Sequence, residues 1–187
     1  MGLCLHTVSD IPPLFHSVEF DGPFKTCITC KEKFDEIADP YTITKVFKGP
    51  ECVFEYAMCL SCRQDMVEQM SPESRETLEN YGRTNKNLRE REDRFGDSEH
   101  HTDFLRECAH CLKPLHQIKD YSIACMAFGP DMVFGPFPMM VCSDCEEAIQ
   151  EKLSKKTREG FDRFVAENFE GPPAESLDPP GRLPLLV

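Results

Sequence analysis

The chain of 187 residues contains no tryptophan and only six histidines, and no apolar run in it approaches membrane-spanning length. It is also poor in positive charge, with 21 lysines and arginines against 33 aspartates and glutamates and a net charge of -12. That shortage disfavours general affinity for nucleic acid or an anionic membrane, because both need Lys and Arg set against phosphate. The acid excess runs through both halves rather than sitting in a tail. The opening segment, Met1-Gly-Leu-Cys-Leu-His6, lacks the basic start and continuous apolar stretch of a secretory signal. Gly2 and Cys4 invite an acylation reading, but His6 stands where a myristoylation site wants Ser or Thr, so an ordinary N-terminal segment is expected. With no export signal and an odd count of 11 cysteines, the expected setting is reducing and cytoplasmic, with no membrane partner.

Paired cysteine is what the chain has in plenty. Eight of the 11 cysteines fall in four Cys-x-x-Cys pairs: Cys27/Cys30, Cys59/Cys62, Cys108/Cys111 and Cys142/Cys145. In a reducing compartment such pairs read as metal ligands rather than disulfides. Zinc takes four tetrahedral ligands, thiolates suit it, and one tight Cys-x-x-Cys turn can aim two sulfurs at one ion. The expected complement is two Zn2+ per chain. Cys27, Cys30, Cys59 and Cys62 hold one, and Cys108, Cys111, Cys142 and Cys145 hold the other. The gaps between pairs are 28 and 30 residues, long enough for a β-hairpin. A helix starting at the second pair of each set would stabilise thiolate charge through its free N–H groups and dipole. Eight thiolates shared by two divalent ions would make the chain more acidic still.

The stretch around the first set recurs around the second. Residues 121–134 align without a gap on residues 41–54 at an offset of 80, with six of the 14 positions identical. Three residues are then inserted around Gly135-Pro-Phe-Pro138, and Ser154-Lys-Lys-Thr-Arg-Glu matches Ser71-Pro-Glu-Ser-Arg-Glu at an offset of 83. Ligand spacing, hairpin, turn and helix cap repeat together, which points to internal duplication. Residues 1–24 read as a lead-in, where Ile11-Pro-Pro-Leu-Phe15 excludes a helix interior and the alternation at Val18 and Phe20 allows a short strand. Residues 25–87 form a first zinc module. β-Branched and aromatic residues predict a hairpin from 41–47 to 52–56, turning at Gly49-Pro50. A helix carrying Met66, Val67 and Met70 follows, then a second capped by Ser71 that buries Leu78 and Tyr81. Residues 88–103 form a charged linker, partly helical through opposite-charge pairs and ended at Gly96-Asp-Ser. Residues 104–170 form the second module, closed by an amphipathic helix with Phe161, Phe164, Val165 and Phe169. Residues 171–187, with five prolines, are expected to be extended or disordered. The fold class expected is α+β: two duplicated small zinc modules, each a Cys-x-x-Cys knuckle, a β-hairpin, a second knuckle and helices, with a pseudo-two-fold axis as one way to pack them.

Knuckle, hairpin and a second knuckle leading into a helix resemble the treble-clef zinc fingers, over about 35 residues in each unit. The resemblance implies a structural four-cysteine site. It leaves function open, since such fingers occur in nucleases, ribosomal proteins and protein-binding modules. Nucleases of this layout would need a histidine before the hairpin and an Asn or His around the finger helix. Neither helix after Cys62 or Cys145 offers a histidine.

Other candidates are weaker. A reactive dithiol at a helix start is conceivable, but no βαβ pattern surrounds either pair. Cys52 aligns with Met132 and Cys125 with Lys45, so both read as buried free thiols. His110 reads as a rim residue of its knuckle, and His100-His101 as solvated. Lys152, Lys155, Lys156 and Arg158 form a basic helix start that could meet phosphate, though a solvated face is the simpler reading. With four cysteines filling each shell, the expected function is a non-enzymatic intracellular interaction or adaptor protein with a protein partner and no general DNA binding. The alternatives are a nucleic-acid-binding zinc-finger protein with a local basic face, and a zinc-linked thiol redox sensor.

Overall fold

The computed structural model describes residues 6–95 and 98–169. The Pro-rich tail, the acylation reading at Gly2 and Cys4, and Gly96-Asp97 lie outside the described residues. Among the described residues no helix is long and apolar enough to cross a membrane.

The architecture is mixed helix and sheet. Its centre is an antiparallel pair, β2 (Tyr41–Lys48) and β4 (Asp120–Phe128). Each strand begins a hairpin, and each hairpin turns on a glycine with left-handed φ, Gly49 at 59° and Gly129 at 57°. Only glycine takes that conformation without a Cβ penalty, and proline follows it in both turns. β2 continues into β3 (Glu51–Cys59), pairing Tyr41 with Cys59 and Thr44 with Tyr56. β4 continues into β5 (Asp131–Phe134) and β6 (Met139–Cys142), which both lie on its other edge. Together they repeat β3: Tyr121 faces Cys142 and Ala124 faces Met139. The inserted residues at Gly135-Pro-Phe-Pro138 interrupt the strand between β5 and β6. The repeats differ at one further point. Val133 pairs with Met126, whereas its counterpart Val53 sits at an irregularity in the ladder between β2 and β3.

The junction of β2 with β4 is symmetric. Thr44 faces Ala124, and the flanking pairs are Ile43 with Cys125 and Lys45 with Ile123. At the 80-residue offset Thr44 faces its own counterpart, and Ile43 and Lys45 each face the counterpart of the other. A pseudo-two-fold axis therefore passes between Thr44 and Ala124, and the two hairpins form one sheet across it. Thr42, Thr44, Ile43, Ile123, Ala124 and Cys125 are all buried. Removing apolar surface on both sides of this seam stabilises it at roughly 25 cal/mol per Å2.

Helices follow each second knuckle. Module 1 has α1 (Leu60–Gln69) and α2 (Pro72–Thr84). The linker carries the short helices α3 (Lys86–Arg89), α4 (Arg91–Phe95) and α5 (His101–Phe104), with a Lys86–Glu90 pair at 3.5 Å. Module 2 has α6 (Ser143–Gln150) and α7 (Lys155–Asn168). Ser71 caps α2 by accepting from Ser74 N–H, and Ser154 caps α7 by accepting from Thr157 N–H. The second helix of each module packs on the other module. Tyr81 of α2 lies 5.3 Å from the ring of His110, between the cysteines of module 2. Phe164 of α7 and Phe169 beyond it pack edge-on against Tyr56 of β3, and Phe169 also meets Phe54 at 4.1 Å.

The lead-in departs from the sequence expectation. Its strand is β1 (His6–Asp10), which adds to the sheet beside β5. Val18 and Phe20 lie in a turn instead, closed by Ser17 N–H donating to Gly22 O at 2.8 Å. The cause is Glu55 of β3, whose carboxylate accepts from Ser17 Oγ at 2.7 Å and Val18 N–H at 2.8 Å. The backbone curls onto that carboxylate and leaves Val18 and Phe20 exposed, at 65% and 60%. Lys45 joins from the sheet, 3.1 Å from Glu55 and donating to His16 O.

Candidate metal centres

Each centre is built from two turns. In the first, Lys31 N–H donates to Cys27 O at 3.0 Å and Cys27 N–H to Glu32 O at 2.9 Å. Leu112 N–H to Cys108 O and Cys108 N–H to Lys113 O repeat this in module 2, both at 2.9 Å. Lys31 and Leu112 hold the left-handed conformation, at φ 64° and 62°, which folds the chain back behind the sulfurs. Ile28 N–H donates to Ala57 O at 2.9 Å and Ala109 N–H to Met140 O at 2.8 Å, fastening each turn to its strand. The second turn is the strand-to-helix junction. Cys59 ends β3 and is the N-cap of α1; Cys142 ends β6 and is the N-cap of α6. The expectation that the second pair opens a helix is met in both modules.

The four sulfurs of Cys27, Cys30, Cys59 and Cys62 all lie within 4.8 Å of one another, and so do those of Cys108, Cys111, Cys142 and Cys145. These two groups are the eight residues singled out by spacing. The Cys30–Cys59 separation is 3.9 Å and the Cys111–Cys142 separation 3.8 Å. A tetrahedral shell with metal–sulfur bonds of about 2.3 Å spaces its sulfurs about 3.8 Å apart, so the donor sets fit such an ion. Cys52 and Cys125 belong to neither group; Cys125 is buried in β4 and Cys52 is half-buried. His100 and His101 also belong to neither.

Electrostatics within each group favour a cation. Burial raises the Cys27 thiol, but N–H groups of Cys59, Cys30 and Thr29 together bring it below its ordinary value. Hydrogen bonds from the Cys142 and Cys145 thiols hold Cys108 far lower. Their partners move the other way. Burial pushes Cys59 up to about 11, and bonding to Cys108 pushes Cys142 up to about 12. One thiolate is stabilised in each cluster, and its charge opposes the next ionisation. Bringing four thiolates this close requires a positive ion among them.

The surroundings of the two groups differ. In module 2, His110 is 4% exposed, with neither ring nitrogen hydrogen-bonded. Its carbonyl accepts from Asn87 Nδ2 at 2.8 Å and Asn85 Nδ2 at 3.4 Å, and Lys152 lies over the Tyr81 ring. The reading of His110 as a rim residue is corrected: α2 arrives from module 1 and covers it. Burial raises the Tyr81 phenol, and the thiols of Cys145, Cys108 and Cys111 raise it further, as expected for a ring close to that cluster. In module 1 the matching position is Thr29, which is exposed. A cavity of about 220 Å3 lies there, lined by Thr29, Cys62, Met66, Phe161 and Phe164 among others.

Basic side chains of the charged linker and of the α7 start are partly spent on the fold. Arg91 is buried beside α5, donating to Phe104 O at 2.8 Å and Pro138 O at 2.7 Å, and burial lowers its guanidinium to about 10. Arg94 pairs with Glu107, and Lys155 with Glu159 at 3.5 Å. Among residues the sequence reading did not single out, Glu146 of α6 is buried against Ser122 Oγ, and burial raises it to about 8. Its position just after Cys145 carried no signal, since a glutamate in a first helical turn is ordinarily exposed.

Comparisons with protein-family models, with curated proteins and with solved structures found no match to this chain.

Proposed function

We propose that the chain is a zinc-binding, non-enzymatic interaction protein, with two treble-clef-like structural centres arising by internal duplication. The observation that carries the zinc reading is the pair of four-sulfur groups, each compact enough for one tetrahedral ion. Zinc would be held by Cys27, Cys30, Cys59 and Cys62, and by Cys108, Cys111, Cys142 and Cys145. Bound there, it supplies positive charge that stabilises four thiolates and ties the first knuckle to the helix start. A shell filled by protein sulfur keeps no position for substrate or water, which supports a structural role.

The interaction reading draws on the lead-in turn. Val18 and Phe20 are displayed on a short loop that Glu55 fixes from inside the fold. Apolar side chains held outward on an anchored turn suit a protein partner at little ordering cost. Elemental analysis after reducing, metal-replete purification should find two zinc ions per chain, and chelation should abolish most secondary structure. Less than about one zinc per chain would remove the reading. For the partner, exchange of Val18 and Phe20 for serine should lose the proteins captured by the wild type while leaving zinc content unchanged. Retention of every captured protein would reject this turn as the contact surface.

A further inference from the structure

We infer that the two centres are unequal: module 2 holds a centre covered beside its first knuckle, and module 1 a more readily exchanged one, entered through the groove beside Cys62 where Thr29 stands in the place of His110. This rests on the zinc reading above and concerns the regulation of the same sites.

The pseudo-two-fold sets equivalent residues of the two centres against each other, and the ring that covers one knuckle is missing from the other. Thr29 and His110 occupy the same place, one residue before the second cysteine of the first knuckle. Met66 corresponds to Ile149, Phe161 to Leu78, and Phe164 to Tyr81. In module 2 the imidazole is buried under Tyr81, and two asparagines fasten its carbonyl. In module 1 the exposed threonine leaves a cavity of about 220 Å3 that Cys62 itself lines. Cys62 and Cys145 are both half-buried and Cys30 and Cys111 both exposed, so the asymmetry lies in what covers the first knuckle rather than in the thiols.

Volume beside a ligand matters because a full tetrahedral shell exchanges through a fifth contact. The entrant is a small thiol or aminocarboxylate, several water volumes in size, which the cavity can hold. With zinc bound, an entering donor would take the place of Cys62 Sγ, whose thiolate would pick up a proton from solvent, and further donors would displace the other cysteines with no change of oxidation state. The equivalent approach to Cys145 meets the His110 and Tyr81 rings, which must move first. The difference of one side chain thus separates a slowly exchanging centre from one that answers to the surrounding chelators and thiols.

The test begins with protein shown by elemental analysis to carry two zinc ions. It is mixed with excess pyridylazo-resorcinol and zinc release is followed by absorbance. Two phases of one equivalent each are expected, differing at least about tenfold in rate. Alkylation with N-ethylmaleimide at the end of the fast phase should mark Cys27, Cys30, Cys59 and Cys62, read by peptide mass spectrometry. Thr29→His, at an exposed position, should slow the fast phase about tenfold and leave the slow one alone. His110→Thr should quicken the slow phase. Release of both equivalents in one phase, alkylation first at the Cys108 set, or a fast phase unchanged by Thr29→His would overturn the inference while leaving zinc binding intact. Failure to load two zinc ions sinks the zinc reading, and the inference with it, before any rate is measured.

Discussion

The Ser71 and Ser154 hydroxyls lie 2.9 Å apart, each at the N-cap of its module's second helix. The bonds around them are reciprocal. Ser71 N–H donates to Thr157 Oγ1 at 3.1 Å, and Ser154 N–H donates to Ser74 Oγ at 2.9 Å. Two helix starts therefore meet on the pseudo-two-fold and share caps. Each serine serves its own helix and supports the other's, and that contact directs α2 and α7 across to opposite modules.

Removing one cap should cost more than an isolated cap does. Ser71→Ala and Ser154→Ala are each expected to destabilise by about 1–2 kcal/mol, the upper part of the usual range. Because the hydroxyls touch, the double variant should lose less than the sum of the singles, by at least about 0.5 kcal/mol. Urea unfolding of the four proteins in the cycle measures this. Strict additivity would mean the two caps act independently.

Glu55 should make part of the stability acid-sensitive. Burial raises its carboxyl, but bonds from Ser17 Oγ, Lys45 and Val18 N–H outweigh that and hold it below the ordinary glutamate value. A lowered folded pKa contributes stability that is present above the unfolded value, about 4.3, and is lost as pH falls through the folded one. Glu55→Gln leaves the Lys45 ammonium buried without its counter-ion and should cost about 2–3 kcal/mol near neutrality. The variant and wild-type stabilities should converge below about pH 4, as the wild-type carboxyl protonates. Lys45→Met in the Glu55→Gln background should restore part of the loss. A constant gap across the acid range would contradict the assignment.

Duplex DNA should not bind well. The Arg91 guanidinium is buried on two carbonyls, and Arg94 and Lys155 already have carboxylate partners. Nonspecific binding draws its free energy from cations placed against phosphate. Fluorescence anisotropy near 150 mM salt should detect no dissociation constant tighter than about 1 μM. Tighter binding that weakens steeply with salt would promote the nucleic-acid reading.

Local chemistry was legible in the sequence, and the partnership between modules was not. Cysteine spacing marks both sulfur groups, and residue periods mark the hairpins. Ser71-Pro72 and Ser154 mark two helix starts because capping depends on residues three apart. The pairing of β2 with β4 left no such mark, since the free edge of a hairpin carries the same side chains whatever lies beside it. His110 was misjudged, and the burial of Arg91 in the charged linker was hidden, for a related reason. Each is polar and sits in a turn or a charged segment, and each is buried by an element from elsewhere in the chain. Lys45 against Cys125 looked like a mismatch between repeats, yet Lys45 is the buried cation that holds Glu55 and the lead-in.

The exchange of helices predicts that neither half folds alone. A four-cysteine metal unit that carried its own second helix over its own site would be an autonomous unit. Here α2 lies on the knuckle of module 2 through Tyr81 and His110, and α7 and the residue after it lie on the strand of module 1 through Phe164, Phe169 and Tyr56. Separation would also strip β2 and β4 of the neighbour along a full strand edge, exposing Ile43, Ile123 and Ala124, which are buried in the whole chain. An unpaired apolar edge of that length favours aggregation over folding. A fragment of residues 25–87, supplied with one equivalent of zinc, should bind metal through its four cysteines yet show no cooperative unfolding transition. Mixing it with a fragment of residues 88–170 should recover a transition as the two hairpins pair. In the intact protein, Cys27→Ser with Cys30→Ser should lower the stability of both modules together, read as loss of amide protection in β4 as well as β2. A 25–87 fragment that melts cooperatively alone, or protection lost in β2 with β4 untouched, would show the modules to be independent after all.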